Sequence, residues 1–251
     1  MSHQFICAKW GIKYPADEVN RLYRALKRVQ KSPFELICVT DYPEGIIPEV
    51  RVVQIPDLPV IGNHVMNRGW RKLTLFAPEL RGVVSGPTVY LDLDVVLLKP
   101  LDNFFIFDPS FAVIKDYKWV RYRNRWTGNT STFYYDASRD YGVYPRLLEL
   151  GAEVQQRYRN EQEFLCDVMR GQGLLKYWPR GWCASWKYDC VPALPQSLWQ
   201  TPQAPAQAKV LVFHGRPKPE EAVEGIGAKW YRPMRPAPWL AAYLQADTQK
   251  P

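Results

Sequence analysis

Two carboxylates, Asp92 and Asp94, lie one residue apart within the apolar run 88–98. The run is rich in β-branched and aliphatic residues and is predicted to form a buried strand. Side chains two positions apart point the same way along a strand, so both carboxylates are predicted to face one point, with Leu93 turned into the core. Two like charges in apolar surroundings are unfavourable unless a cation lies between them, and carboxylate oxygens suit a hard divalent cation. The pair therefore predicts a metal site; the simpler interpretation is that one Asp caps a turn and the other is solvated.

Two further segments carry side chains that can do chemistry. The last predicted strand, 210–213, runs into H-G-R-P-K-P at 214–219, where His214 is either a metal ligand or a structural or solvated histidine at a strand end. Segment 118–126 alternates cations with aromatic residues. That pattern is typical of a surface for nucleic acid or anionic lipid, and equally of a half-exposed strand with solvated arginines.

The elements that must position these residues begin with a strand at 5–8, a helix over about 19–29 and strands at 34–40 and 50–55. Strand, helix and strand in this order predict a βαβ unit with a right-handed crossover and a parallel sheet. Ligands of such sheets bind beyond the carboxyl ends of the strands. The loop 8–14 and the pair Asp41-Tyr42 are therefore expected at the binding edge.

Downstream, the pattern predicts short helices at 69–76 and 100–105, strands at 111–114 and 132–135, and helices at 145–150 and 161–169. The small polar segment 127–131 leads into one of these strands, and 191–209 is predicted to be a surface excursion. The predicted fold class is α/β, with a mixed, mostly parallel central sheet flanked by helices.

Length and composition set further limits. The chain has 251 residues, enough for one sizeable core and few for two, and its 47% hydrophobic and 23% charged residues argue against disorder. A net charge of +8 favours an anionic partner such as a nucleotide, a nucleic acid or an acidic membrane face. Five cysteines without a C-x-x-C pair predict reduced, mostly buried thiols. No signal peptide or membrane-spanning run is expected, so the predicted location is cytoplasmic.

The D-x-D at the end of a strand, the N-x-S segment and the late H-G-x-P-K-P together resemble the GT-A glycosyltransferases, in particular the retaining, glycogenin- and galactosyltransferase-like family (family 8-like). The resemblance covers residues 5–219. It implies one GT-A, Rossmann-like domain over 1–251: a nucleotide-binding half (1–98), an acceptor and catalytic half (99–219) and a C-terminal tail (220–251). The late motif departs from the family, which usually has H-x-x-G-x-x-K-P or close variants.

The resemblance also implies ligands and a reaction. A Mn²⁺ (or Mg²⁺) ion held by Asp92, Asp94 and His214 would bind the diphosphate of a UDP-hexose. The hexose would pass to a hydroxyl acceptor with retention. Apart from the resemblance, the basic face of the chain favours an anionic glycan, a glycolipid or a nucleic acid as that acceptor, with peripheral membrane contact. The family's Asp-Gln pair near the reacting carbon is replaced here by the expected catalytic residues Glu161 and Gln162. The expected donor contacts are Ala8, Lys9, Trp10, Tyr14, Arg71, Lys72, Asp92, Asn129, Ser131, Gly215 and Lys218.

Two alternatives remain open from the sequence. In a haloacid-dehalogenase-type phosphatase, Asp92 would be phosphorylated and Asp94 would act as acid and base. That motif normally lies on the first strand and has a later acidic pair, whereas here it lies on about the fourth strand and no suitable pair follows. A non-enzymatic module that binds nucleic acid or membrane through 118–126 would leave the two aspartates and His214 without a purpose.

Overall fold

The computed structural model describes residues 2–58, 69–108, 110–117, 124–230 and 232–248. The strands are β1 His3–Lys9, β2 Phe34–Thr40, β3 Arg51–Gln54, β4 Pro87–Leu91, β5 Val95–Leu97, β6 Phe111–Lys115, β7 Gly128–Asp136, β8 Lys176–Tyr177, β9 Cys183–Ser185 and β10 Val210–Val212. The α-helices are α1 Ala16–Val29, α2 Pro78–Arg81, α3 Asp102–Ile106, α4 Val143–Leu150, α5 Val154–Arg157, α6 Glu161–Gly171, α7 Pro219–Glu224 and α8 Trp239–Thr248. Short 3₁₀ helices occupy Trp70–Phe76, Gly151–Glu153 and Gln196–Leu198, and a π-helix occupies Trp186–Cys190.

Seven strands form the central sheet in the order β3-β2-β1-β4-β7-β6-β8. Strands β1 to β4 pair in parallel, β7 is antiparallel to both of its neighbours, and β6 and β8 are again parallel. Helix α1 connects β1 to β2 and buries Val19, Leu22 and Leu26 on one face, as its periodicity predicts. The predicted α/β class with a mixed, mostly parallel sheet is confirmed.

A second, three-stranded sheet with the order β5-β10-β9 corrects one prediction. The apolar run 88–98 is not one strand: β4 ends at Leu91 in the central sheet, and β5 starts at Val95 in the small sheet, antiparallel to β10. Asp92 and Asp94 therefore lie in the turn between the two sheets. The apolar run continues through the turn because both strands are buried, so hydrophobicity alone does not mark the break.

Strand β1 shows how the core lies on both faces of the central sheet. Ile6 and Ala8 belong to one buried cluster, while Phe5 and Cys7 belong to the other. This alternation is the two-residue period of a strand that is covered on both sides. All five cysteines are free and buried, which agrees with the prediction of reduced, buried thiols.

Other boundaries differ more modestly. The predicted helix at 69–76 is a 3₁₀ helix, and the polar segment before 132 already belongs to β7, which starts at Gly128.

Most of the cationic and aromatic segment, 118–123, lies outside the described residues. Within the described part, no helix combines the length and the apolar character needed to cross a bilayer.

Candidate functional site

A cavity of about 260 Å³ opens where β1 and β4 end, at the carboxyl edge of the parallel strands. Its wall combines the loop after β1, the 3₁₀ helix, the turn after β4 and the first residue of α6. The side chains and backbone that line it are Ala8, Trp10, Lys13, Tyr14, Gly69, Lys72, Tyr90, Asp92, Leu93, Asp94 and Glu161. We call this the donor cavity, after the sugar donor that the family resemblance would place there. Seven of the residues that the sequence predicts at the site line it: Ala8, Trp10, Tyr14, Lys72, Asp92, Asp94 and Glu161.

Each aspartate of the donor cavity is paired with a lysine. Lys72 Nζ lies 2.8 Å from Asp92 Oδ1, and Lys218 Nζ lies 2.7 Å from Asp94 Oδ2. Burial raises the pKa of Asp94, and the neighbouring charge of Asp92 raises it further, while Lys218 lowers it. Asp92 and Asp94 thus repel each other even with both lysines in place, which is the electrostatic condition that favours an additional cation.

Lys72 is a buried cation that the fold holds in place. Its Nζ also donates a hydrogen bond to the carbonyl oxygen of Thr130 at 3.0 Å and lies 4.8 Å from the centre of the Tyr90 ring. The Tyr90 hydroxyl donates in turn to Asp92 Oδ1 at 2.6 Å. These contacts fix the ammonium group and the first carboxylate relative to each other, because neither can turn without losing a buried hydrogen bond.

Glu161 completes the donor cavity from the start of α6. Asn160 caps this helix by accepting a hydrogen bond from the Glu163 backbone N–H at 3.0 Å. The Glu161 side chain is buried, and burial raises its pKa, although Lys72 lowers it. Gly69 makes room for the carboxylate: it has φ of +83°, and a Cβ there would lie 3.0 Å from Glu161 Oε1. The position therefore requires glycine for both conformation and space.

Gln162, the next residue, faces a different and larger cavity of about 430 Å³. Its Oε1 accepts a hydrogen bond from the Thr130 backbone N–H at 3.0 Å. Asn129 and His214 also line this cavity. We call it the second cavity; Glu161 and Gln162, adjacent in sequence, are thus divided between the two.

His214 does not join the two aspartates. Its Nδ1 lies 3.4 Å from Asn129 Nδ2, its ring centre is 5.0 Å from that of Tyr117, and it lines the second cavity rather than the donor cavity. Within the described ranges, no three His, Cys, Asp or Glu residues are placed to hold a metal ion. The predicted set of three ligands is therefore not assembled. Lys218, four residues after His214, is the residue of the late motif that reaches Asp94.

The donor atoms fit a divalent cation in part. Asp92 and Asp94 supply hard carboxylate oxygens on the wall of one cavity, and their mutual repulsion is not cancelled by the lysines. His214 fits the ion in chemistry but not in position. A metal site in this chain accordingly rests on the two aspartates.

Other predicted donor contacts serve the framework. The Lys9 side chain is buried and its Nζ donates to the Tyr42 carbonyl oxygen at 2.8 Å, so it does not line the donor cavity. Arg71 forms an ion pair with Asp41 at 2.7 Å, and Asp41 also accepts from the Gly11 backbone N–H at 2.8 Å. These contacts hold the loop after β1 against the end of β2 and therefore act on the donor cavity indirectly.

The small polar residues of β7 and the late glycine have separate places. Ser131 is buried, and its carbonyl oxygen accepts from the Asp92 backbone N–H at 2.8 Å, which anchors the turn between the sheets. Asn129 lines the second cavity. Gly215 has φ of +72° and is not among the residues that line either cavity.

Sequence reasoning missed several residues of the donor cavity. Tyr90 lies within the run that is predicted to form a buried strand, Lys13 lies within the loop after β1, and Gly69 begins a predicted helix, so the pattern singles out none of the three. The hydrogen bond of Tyr90 to Asp92 spans only two residues but depends on the turn that the sequence did not reveal.

Similarity to known proteins is visible in the structure only. No protein-family model matches the chain, and no curated protein sequence matches it. Among solved structures, the apo form of the glycosyltransferase GlyE from Streptococcus pneumoniae TIGR4 is similar with a TM-score of 0.61 and 12% sequence identity, over 100% of this chain and 61% of that one. The chain thus spans about three fifths of the GlyE structure's length.

Two other glycosyltransferase structures show the same fold. The galactosyltransferase LgtC, in complex with donor and acceptor sugar analogues, matches with a TM-score of 0.58 and 11% identity, over 99% of this chain and 97% of that one. The bifunctional glycosyltransferase WbbM matches with a TM-score of 0.55 and 11% identity, over 100% of this chain and 50% of that one. The predicted GT-A glycosyltransferase fold is confirmed.

Proposed function

We propose that the chain is a glycosyltransferase that moves a hexose from a nucleotide sugar, with UDP as the nucleotide, to a hydroxyl acceptor with retention of configuration. The observation that carries the proposal is the donor cavity, in which two aspartates are paired with two lysines at the carboxyl edge of the sheet. The shared fold with GlyE, LgtC and WbbM supports glycosyl transfer.

The donor nucleotide would lie across the loop after β1. Trp10 and Tyr14 are half-buried aromatic residues on the cavity wall, and an aromatic face there can stack on a uracil ring. Lys13, Lys72 and Lys218 supply positive charge within the same region. Such lysines would bind the diphosphate as point charges.

A divalent ion, Mn²⁺ or Mg²⁺, would be held by Asp92 and Asp94. When bound, it would neutralise part of the diphosphate charge and polarise its oxygens. The side chains of the protein contribute independently of it: Lys72 is fixed by Thr130 and Tyr90, so its charge is preorganised where negative charge develops.

Bond breaking between sugar and phosphate leaves negative charge on the nucleotide diphosphate and positive charge on the anomeric carbon. Lys72 and Lys218 would stabilise the first. The Glu161 carboxylate faces the donor cavity and would stabilise the second. Gln162 lies on the side of the second cavity, with its Oε1 already used by Thr130, so its amide group remains to orient an acceptor hydroxyl.

The two halves of the chain would divide this work. Residues 1–98 supply the loop after β1, Lys72 and the two aspartates, which is a nucleotide-binding role. Residues 99–219 supply Glu161 and Gln162 for the acceptor and catalytic role, and they also supply Lys218, which would bind the diphosphate together with Lys72. The tail, 220–251, contributes Lys229 and Arg232 to the second cavity.

The experiment is release of UDP from a panel of UDP-hexoses, with water or an added methyl hexoside as the hydroxyl acceptor of the hexose, in the presence of Mn²⁺, Mg²⁺ or a chelator. We expect metal-dependent release from at least one donor, lost in Asp92→Asn and Asp94→Asn. The absence of UDP release from every donor, with the folded wild-type protein, would contradict the proposal. Hydrolysis of p-nitrophenyl phosphate in the same preparations tests the phosphatase alternative, which gains no support from the described structure.

A further inference from the structure

The second cavity is not accounted for by the donor. It lies beside the donor cavity, from which it is separated at the start of α6, and it reaches from β7 to the segment before α8. Its volume of about 430 Å³ is large enough for a sugar unit with substituents. Gln162 is on its wall, so an occupant of this cavity would contact that side chain.

The charge on its wall has one predominant sign. Lys187, Arg216, Lys229 and Arg232 line the cavity, against a single acidic side chain, Asp116. Arg216 also lies 3.2 Å from Glu221, which is not on the cavity wall, so the described wall itself carries four basic side chains and one acidic one. Convergent basic groups of this kind favour a negatively charged ligand.

The remaining wall is suited to a sugar ring. Tyr117 and Tyr188 stack with ring centres 6.4 Å apart and planes at 11°, and the Arg232 guanidinium lies 5.1 Å from the centre of the Tyr188 ring. Thr127 is buried on the same wall, and within the described part of the chain its Oγ1 has no hydrogen-bond partner. An aromatic face, a spare buried hydroxyl and nearby cations together match a carbohydrate that carries an acidic group.

We infer that the second cavity binds the acceptor, and that the acceptor is a sugar bearing a negative charge, as a carboxylate or a phosphate. The inference rests on the proposed function, because the words donor and acceptor have meaning only if glycosyl transfer occurs. The cations of the second cavity are distinct from Lys72 and Lys218, which are paired with the aspartates of the donor cavity. The cations proposed for the diphosphate are therefore a different set from those of the second cavity.

The test measures binding directly, by ligand-observed NMR titration of the protein. The probes are a methyl hexoside, the matching methyl hexuronoside, the methyl hexoside 6-phosphate and free inorganic phosphate, with UDP titrated separately. The variants are Lys229→Glu/Arg232→Glu and the matched control Lys27→Glu/Lys31→Glu, which makes the same change in net charge at two exposed positions that line neither cavity.

We expect the wild-type protein to bind at least one of the two acidic sugars about tenfold more tightly than the neutral one, as for one charge-assisted contact. The cavity variant should lose that preference and keep its affinity for UDP, while the control variant should keep both. Comparison of the uronoside with the phosphate identifies which acidic group is preferred.

Equal affinity for neutral and acidic sugars would overturn the inference, as would a preference that survives in the cavity variant. Tight binding of inorganic phosphate alone, matching that of the sugar phosphate, would also overturn it, since the sugar would then contribute nothing. Failure of UDP to bind any of the proteins would count against the proposed function and is read out separately from the acceptor result.

Discussion

At the scale of single residues, the donor cavity depends on lysines as much as on aspartates. The D-x-D pattern suggested a metal site with His214 as third ligand, yet Lys218 is the residue that reaches Asp94 and Lys72 the one that reaches Asp92. Both lysines were predicted as donor contacts from the family resemblance. Their pairing with the carboxylates was not, because it depends on a turn at 92–94 that the apolar run conceals.

Lys218→Met should weaken binding of UDP by roughly tenfold to a hundredfold, the loss of one charge-assisted hydrogen bond to a phosphate. Lys218 is 40% exposed at its side chain, so the variant is expected to fold. Isothermal titration of UDP measures the change, and Lys31→Met, an exposed lysine remote from both cavities, is the control. Unchanged UDP affinity in Lys218→Met would argue against this role.

Two glutamates of α6 should respond to pH in opposite directions. Burial raises the pKa of Glu161, so the native protein holds the proton of this carboxyl group more tightly than the unfolded chain does. The stability of the protein therefore falls as pH rises from the ordinary pKa of about 4.3 through the raised pKa. Burial alone would also raise the pKa of Glu163, but hydrogen bonds from the Arg159 backbone N–H, the Asn124 amide and the Arg159 side chain lower it below its ordinary value. Its contribution is therefore present above that value and is lost as pH falls through the lowered one.

Thermal unfolding from pH 3 to pH 8 checks this pair. As pH rises, the stability of Glu161→Gln should increase relative to that of the wild type. Over the acidic range, the same rise in pH should decrease the stability of Glu163→Gln relative to that of the wild type. The two variants remove the same charge from one helix and control for each other. Parallel pH dependence of the two differences would show that the assigned environments are wrong.

At the scale of elements, the sequence predicted the helices and strands whose positions follow from local hydrophobic periodicity. Helix α1 and strand β2 were found with nearly correct bounds, because an amphipathic stripe and a β-branched run end at clear turn residues. The break between β4 and β5 was missed, since a second sheet buries the continuation of the same run. Likewise, the second cavity combines residues from 116 to 234, and no local pattern reports such a combination.

Gly69 links the 3₁₀ helix to α6 and gives a prediction at this scale. Gly69→Ala should be destabilised by the positive φ, about 1–2 kcal/mol, and additionally by contact of the new Cβ with the Glu161 carboxylate. Gly173→Ala is the matched control, because Gly173 has φ of +71° and a Cβ there meets nothing within 4 Å. Urea denaturation should show a larger loss for Gly69→Ala, together with reduced UDP-sugar turnover. Equal losses in the two variants would mean that the close approach to Glu161 has no energetic effect.

At the scale of the whole molecule, the C-terminal helix packs against α1 and against β5 of the small sheet. Asp247 on α8 is buried and accepts hydrogen bonds from Arg28 Nε at 2.7 Å and from Arg28 Nη2 at 3.0 Å. The same guanidinium donates to the Leu97 carbonyl oxygen at 2.9 Å, at the end of β5. One arginine thus fastens the tail to the strand that follows the two aspartates, a connection that the sequence did not indicate.

Asp247→Asn should lower the free energy of unfolding by about 1–3 kcal/mol, because the buried carboxylate is replaced by a neutral amide and the Arg28 guanidinium loses a charged acceptor. Chemical denaturation measures the loss. Asp17→Asn is the control: its carboxylate is 68% exposed and lies 3.7 Å from Arg24, so the change should be within about 0.5 kcal/mol. A loss no larger than that of the control would mean that α8 is not held by this ion pair.

The central claim is that Asp92 and Asp94 form the metal-assisted donor site. Calorimetric titration of UDP into the wild-type protein, Asp94→Asn and Asp136→Asn, each with and without Mn²⁺, tests it most directly. Asp136 ends β7 opposite the first residue of β4, at the edge of the sheet remote from the cavity. We predict that Mn²⁺ tightens UDP binding in the wild type and in Asp136→Asn but not in Asp94→Asn. The same UDP affinity with and without Mn²⁺ in the wild type, or an undiminished Mn²⁺ effect in Asp94→Asn, would contradict the claim.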